Sequence, residues 1–333
     1  MNKKHINIIT YVLTFGLCGF LIWFSVKDVT AEQIQKIKFA MQHARYMLLF
    51  PVMLMGFISH WSRAVRWTYL MEPLEMYPSK TNTFLAVMIG YIANLGIPRF
   101  GEVLKCSLLS KYEKLPTDKL IGTIIAERAF DMLCLGIIFI ITFVIQIDFS
   151  LNYLQSFWTK INQNPSGDHT FQYTLIGVII LLLILFKVFQ KKGINHPIYT
   201  KLAAIFKNIV AGIMSFKTMK NKKWFIIHTL IIWGMYLGMI VIGFKSIHET
   251  EMLGFKTGFS VLSFGSIGII ATPGGLGAYP LIVGEIVQLY GVDETFSFAI
   301  SWIIWLIPTL IVILGGAASL IILPIYNRNK NAQ

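Results

Sequence analysis

"YIANLGIPRFGEVLKCSLL", residues 91–109, sets a glycine and a proline two residues apart inside an apolar run and follows them with Arg99 and Glu102. Glycine and proline both disfavour a helix interior, so a break is expected at Gly96-Ile97-Pro98. The arms on either side, 81–95 and 98–110, are each shorter than the roughly 20 residues that cross a bilayer core. Irregular backbone at membrane depth is tolerated only where protein or a water-filled cavity covers it. The stretch therefore reads as a re-entrant hairpin of two half-helices, with a single kinked span as the alternative.

The rest of the chain places that hairpin in a membrane. Of 333 residues, 55% are hydrophobic and only 14% charged, whereas soluble chains carry about a quarter charged residues. A net charge of +13 would suggest nucleic acid in a soluble protein. Here the basic residues gather between apolar runs, as they do in cytoplasmic loops, so no nucleic-acid partner is expected. Cys18, Cys106 and Cys134 lie far apart without ligand spacing and the histidines form no zinc motif, so neither a metal nor a cofactor is expected.

Lys3 and Lys4 precede an apolar run from Ile6 to Val26, which reads as a retained anchor with a cytoplasmic N-terminus. Within 27–45, Thr30 and Gln33 have capping-box spacing and Ile34, Ile37 and Met41 share a face, predicting a short helix on the outer surface. Further spans are expected at 46–71, 119–147, 171–186, 224–247 and 295–323. The loop 148–170 has a single lysine and is placed outside, whereas 187–223 has nine lysines and no acid and is placed in the cytoplasm. Ile198, Leu202, Ile205, Ile209, Ile213 and Phe216 recur at helical spacing there, so the segment from about 191 to 223 reads as an amphipathic helix on anionic lipid. Arg328 and Lys330 put the C-terminus in the cytoplasm.

A second apolar segment, 258–291, is broken at Thr272-Pro273-Gly274-Gly275. Residues 46–147 and 224–323 then share one pattern, span, broken hairpin, span, with opposite orientation. Such an inverted repeat points to a transport site at the midplane, between the breaks. The fold expected is a single all-α polytopic membrane domain, residues 1–333, with about six full transmembrane helices plus two re-entrant hairpins.

A helix that begins at depth presents free N–H groups and the positive end of its dipole to an anion. Pro98 suits its first turn, and the Arg99 guanidinium can grip phosphate with two donors. Gly274, Gly275 and Gly277 would let a headgroup approach backbone at the second break, or would serve close helix packing. Glu127, Arg128 and Asp131 fall near the bilayer centre, where an unpaired charge costs at least about 2.5 kcal/mol. Glu127 and Asp131 share a face, Arg128 can meet Asp131, and Glu102 can join them. Arg63 and Arg66, beside Trp67 and Tyr69, read as basic residues snorkelling to headgroups among interfacial aromatics, with a role in lipid access as the alternative.

"NLGIPRFGEVLK", then "ERAFD", then "TPGGLGAY", in that order, resemble the transmembrane region of the lysylphosphatidylglycerol synthase family, a flippase-like group, over nearly the whole chain. The resemblance implies a multi-pass protein of the cell (cytoplasmic) membrane that handles a membrane lipid. It adds Asn94, Pro98, Arg99, Gly101, Glu102, Glu127, Arg128, Asp131, Pro273, Gly274, Gly275 and Gly277 as candidate substrate-binding residues. Synthase members carry a soluble aminoacyl-transfer domain, and this chain ends ten residues after Leu323, so that enzyme is not expected. Many relatives also place a glutamate soon after the PGG-x-G motif, where this chain has Ala278-Tyr279-Pro280 and no acid before Glu285. The leading expectation is a flippase-like transporter of a phospholipid or polyprenyl-phosphate lipid. The alternatives are an intramembrane enzyme on a lipid-linked phosphate or sugar and a helper subunit without transport; homo-oligomerisation stays open.

Overall fold

The computed structural model describes residues 30–97, 99–146 and 219–330, with positions 16, 19 and 20. Pro98, nearly all of the expected span 6–26, the expected span 171–186, the loop 148–170 and nearly all of the amphipathic segment 191–223 lie outside the described residues. Within them all regular structure is helical: α1 (Ala31–Gln42), α2 (Leu49–Met71), α3 (Lys80–Gly96), α4 (Phe100–Glu113), α5 (Thr117–Ile145), α6 (Lys222–Phe244), α7 (Phe255–Ala271), α8 (Ala278–Leu289) and α9 (Glu294–Lys330).

Among the described residues four helical stretches are long and apolar enough to cross a membrane: Tyr46–Leu74, Thr117–Ile145, Lys222–Phe244 and Glu294–Arg328. The helices of the two broken segments have 17, 14, 17 and 12 residues. At about 1.5 Å per residue even the longest falls short of a 30 Å core. α3 ends where Ile97 turns extended. α7 ends at extended Thr272, and Pro273 then opens a 3-10 turn through Gly275.

Each broken segment folds back on itself, and glycine makes the contact possible. A Cβ on Gly101 would lie 1.8 Å from the Gly90 carbonyl oxygen, so α3 and α4 touch backbone to backbone. In the second segment Gly265 and Gly268 receive Tyr279, with a Cβ at those positions 2.7 and 2.9 Å from its atoms. The two tips also meet. Gly274, at φ +61°, leaves room for Leu95 of α3, and its carbonyl accepts a hydrogen bond from Trp305 Nε1 at 2.9 Å.

The bases of the hairpins are tied by polar contacts at opposite ends of the bundle. Asn82 and Asn327 exchange amide hydrogen bonds of 2.9 and 2.8 Å, and Asn82 also donates to Glu113 at 2.5 Å, joining α3, α4 and α9. Gln146 Nε2 donates to Ser260 at 2.6 Å, its Oε1 accepts from Tyr290, and Thr142 bonds Ser263 at 2.7 Å, joining α5, α7 and α8. The Asn82 tie corrects the expected end of the last span. α9 runs past residue 323 to Lys330, because the apolar run continues through Tyr326 and Asn327 is buried against α3.

α1 forms as its periodicity predicts, with Ile37 packed on the apolar core. Beyond it, Arg45 pairs with Glu251 at 2.7 Å, which holds that exposed carboxyl below its usual pKa. The contribution of this clip is present at neutral pH and fades as pH falls through the lowered value.

Gly101→Ala should destabilise the protein by about 2–3 kcal/mol through overpacking. Gly122→Ala, whose added methyl meets nothing within 4 Å, should not. Thermal unfolding of both variants in detergent checks the contrast.

Candidate functional site

Asp131 stands at the midpoint of α5, and two arginines from α2 converge on it. Its Oδ2 accepts from Arg63 Nη1 at 2.6 Å and its Oδ1 from Arg66 Nη2 at 2.7 Å. Arg63 and Arg66 are one turn apart on α2, so both present the same face to α5. Glu127, one turn before Asp131, accepts from Lys105 Nζ of α4 at 2.8 Å and lies 3.5 Å from Arg63 and 3.8 Å from Arg66. Tyr236 of α6 adds a weak 3.5 Å contact from its hydroxyl oxygen to Arg63 Nη2.

Burial makes this arrangement unusual. The side chain of Arg66 is 0% exposed, that of Glu127 3% and that of Lys105 6%. Aromatic rings line the cations: Lys105 Nζ sits 4.3 Å from the centre of the Trp67 ring and the Arg66 guanidinium 5.6 Å from that of Phe225. Charges withdrawn from water are held only by well-formed pairs and hydrogen bonds. Among the described residues three buried cations face two buried anions here, leaving one positive charge unmatched. Arg63 Nε, Arg66 Nε and Arg66 Nη1 are buried and have no hydrogen-bond partner among the described residues. An excess positive charge with bare guanidinium donors is suited to an oxyanion.

Several expectations change. Arg63 and Arg66 do not snorkel to lipid: both are buried, as is Trp67 beside them, which donates to Thr123 at 2.9 Å. The reason is register, since one turn of α2 faces the two carboxylates of α5. Arg128 does not pair with Asp131; it points away on the exposed side and binds Glu102 at 2.7 Å. Asp131 is already shared by two arginines. Lys105 was missed, although a lysine one turn after Glu102 in an apolar half-helix is itself a signal.

The remaining candidates divide by position. Asn94 Oδ1 accepts the Gly101 amide at 2.8 Å, so this side chain caps α4 across the break. Arg99 adopts φ +65° at the start of α4 and is exposed. Gly101 makes the backbone contact described above, and Pro98 lies outside the described residues. Pro273, Gly274, Gly275 and Gly277 form the second tip, the three glycines all at positive φ. Glu285 is exposed on α8.

Apolar spanning helices, two broken hairpins and an interior charge network define a multi-pass all-helical membrane protein. The chain belongs to the lysylphosphatidylglycerol synthase TM region family, whose model matches residues 8–316. Neither a curated protein nor a solved structure matches it.

Asp131→Asn should cost about 3–5 kcal/mol, because it leaves two buried guanidinium groups without their shared carboxylate. Glu102→Gln breaks a pair whose arginine is 45% exposed and should cost less than about 1 kcal/mol. Denaturant titration in detergent, with circular dichroism as the readout, compares the two.

Proposed function

We propose that the protein moves a lipid between leaflets of the cytoplasmic membrane, with the headgroup phosphate received at Arg63 and Arg66. The observation that carries this reading is the fully buried Arg66, with two donors that have no partner among the described residues, beside a carboxylate at the middle of a spanning helix. A scaffold gains nothing from charge held there, and ionisable groups inside a membrane mark substrate paths. The chemistry fits any lipid with a phosphate, a phospholipid or a polyprenyl phosphate alike.

Helix packing supports an inverted repeat of α2–α5 and α6–α9. Under exchange of the halves, α3 on α9 corresponds to α7 on α5, α4 on α5 to α8 on α9, and α2 on α3 to α6 on α7, while α2 packs on its own counterpart α6. The two polar ties exchange in the same way, one at each end. A hairpin base held to the last span of the opposite repeat is a natural gate, and opening one tie at a time would expose the interior to one leaflet at a time. In this reading both termini are cytoplasmic, and anionic lipid at that face meets the lysines of 187–223.

Reconstitution in liposomes with a panel of headgroup-labelled phospholipids and polyprenyl phosphates tests the proposal, with a membrane-impermeant quencher reporting movement. Wild type should move at least one phosphate-bearing lipid, and Arg66→Met should slow it about tenfold or more, since hydrogen bonds to a charged group are lost. Movement of no lipid by folded wild type would overturn the reading.

A further inference from the structure

α2 carries a row of buried polar atoms that the fold leaves open. Ser59, Arg63 and Arg66 recur at spacings of four and three and so share one face, and His60 stands one turn before Arg63. Ser59 Oγ, His60 Nδ1, Arg63 Nε, and Nε and Nη1 of Arg66 are buried and have no hydrogen-bond partner among the described residues. The arginines serve the phosphate site, whereas His60 is a titratable group in the same row with no part in it. His60 is the middle residue of the 23-residue α2, is 8% exposed, and sets its ring 5.1 Å from that of Tyr91 on α3.

A structural histidine usually has its ring nitrogens bonded, and those bonds fix which nitrogen holds the proton. Nδ1 of His60 has no such bond among the described residues, so the surrounding charges decide its state. Arg63 lies one turn away on its own helix, and Tyr91 faces it from α3. α5 brings Glu127 and Asp131, α4 brings Lys105 and α6 brings the Tyr236 phenol, all joined in the network around Arg63 and Arg66. α9 has no titratable side chain between Thr295 and Ile325. Among the described residues the network carries one excess positive charge. A proton on His60 would add a second, and like charge in a space withdrawn from water is unfavourable. A lipid phosphate at Arg63 and Arg66 removes that obstacle. Its negative charge cancels the excess, and a proton on His60 then only restores the charge that the network carries without lipid.

We propose that His60 takes up a proton when a lipid phosphate occupies Arg63 and Arg66 and gives it up when the phosphate leaves, a role that rests on the phosphate reading above. The proton comes from water, adds to the ring nitrogen that bears the lone pair, and returns to water on release. Linked binding is reciprocal, so a site that loads a proton with its lipid makes lipid movement responsive to a proton gradient.

The test is a calorimetric titration of the full chain in dodecyl maltoside with dioctanoyl phosphatidylglycerol, whose phosphodiester does not titrate near neutral pH. Repeating it at neutral pH in two buffers of different ionisation enthalpy counts the protons taken up per lipid bound. Wild type should take up about one proton per lipid, and its affinity should rise as pH falls, by at most about tenfold per pH unit. His60→Gln should bind with an uptake near zero and a flat pH profile. His60→Phe, which keeps a ring against Tyr91, should do the same. Binding by wild type without proton uptake would overturn the proposal and leave the phosphate site standing, and that count needs no variant. Uptake undiminished in both His60 variants would overturn it as well. Absence of binding by folded wild type, or binding that Arg66→Met leaves unchanged, would remove the phosphate site and this role together.

Discussion

The grip of Asp131 on two arginines is the constraint on which the rest of the interior depends. A carboxylate withdrawn from water at the middle of a spanning helix must be matched, and it is matched by Arg63 and Arg66 at 2.6 and 2.7 Å. Because both arginines come from α2, the pair sets the height and rotation of that helix against α5. Glu127 then fixes Lys105, and through it the returning arm of the first hairpin. Electrostatics thus positions three helices whose apolar faces alone could slide in register, since lipid-exposed helices gain little from hydrophobic contact with one another.

Backbone contact performs the complementary task. Gly90 and Gly101 bring α3 and α4 close enough that no side chain fits between them, and Asn94 satisfies an amide that the break leaves open. The first tip is consequently a capped and packed turn. Its exposed Arg99 and the buried pair on α2 occupy different environments, one at the surface and the other paired with Asp131 inside the bundle. At the second tip Gly274 admits Leu95 from the first, which couples the hairpins directly.

Much of this was legible in the sequence. Gly96 and Pro273 mark the breaks because few other residues end a helix within an apolar run, and Glu127 and Asp131 announce themselves by depth. Partner choice was not legible. Arg128 is one turn from Asp131 along the chain, yet the tertiary partner of Asp131 is α2, and nothing in local spacing says which face of α5 meets that helix. Arg63 and Arg66 misled for a related reason: near the end of a span, with aromatics alongside, a buried arginine and a snorkelling one have the same sequence signature. Asn327 lies past the hydrophobic stretch, and nothing in its local sequence announces that it is buried against Asn82.

The central claim is that the bare nitrogens of Arg66 are a receptor for lipid phosphate. Electron cryomicroscopy of the full chain in nanodiscs of anionic phospholipid examines that contact directly. The account predicts phosphate density within about 3 Å of Arg66 Nε or Nη1, continuous with a lipid tail. Nitrogens satisfied by protein groups alone, in an interior that no lipid reaches, would contradict it.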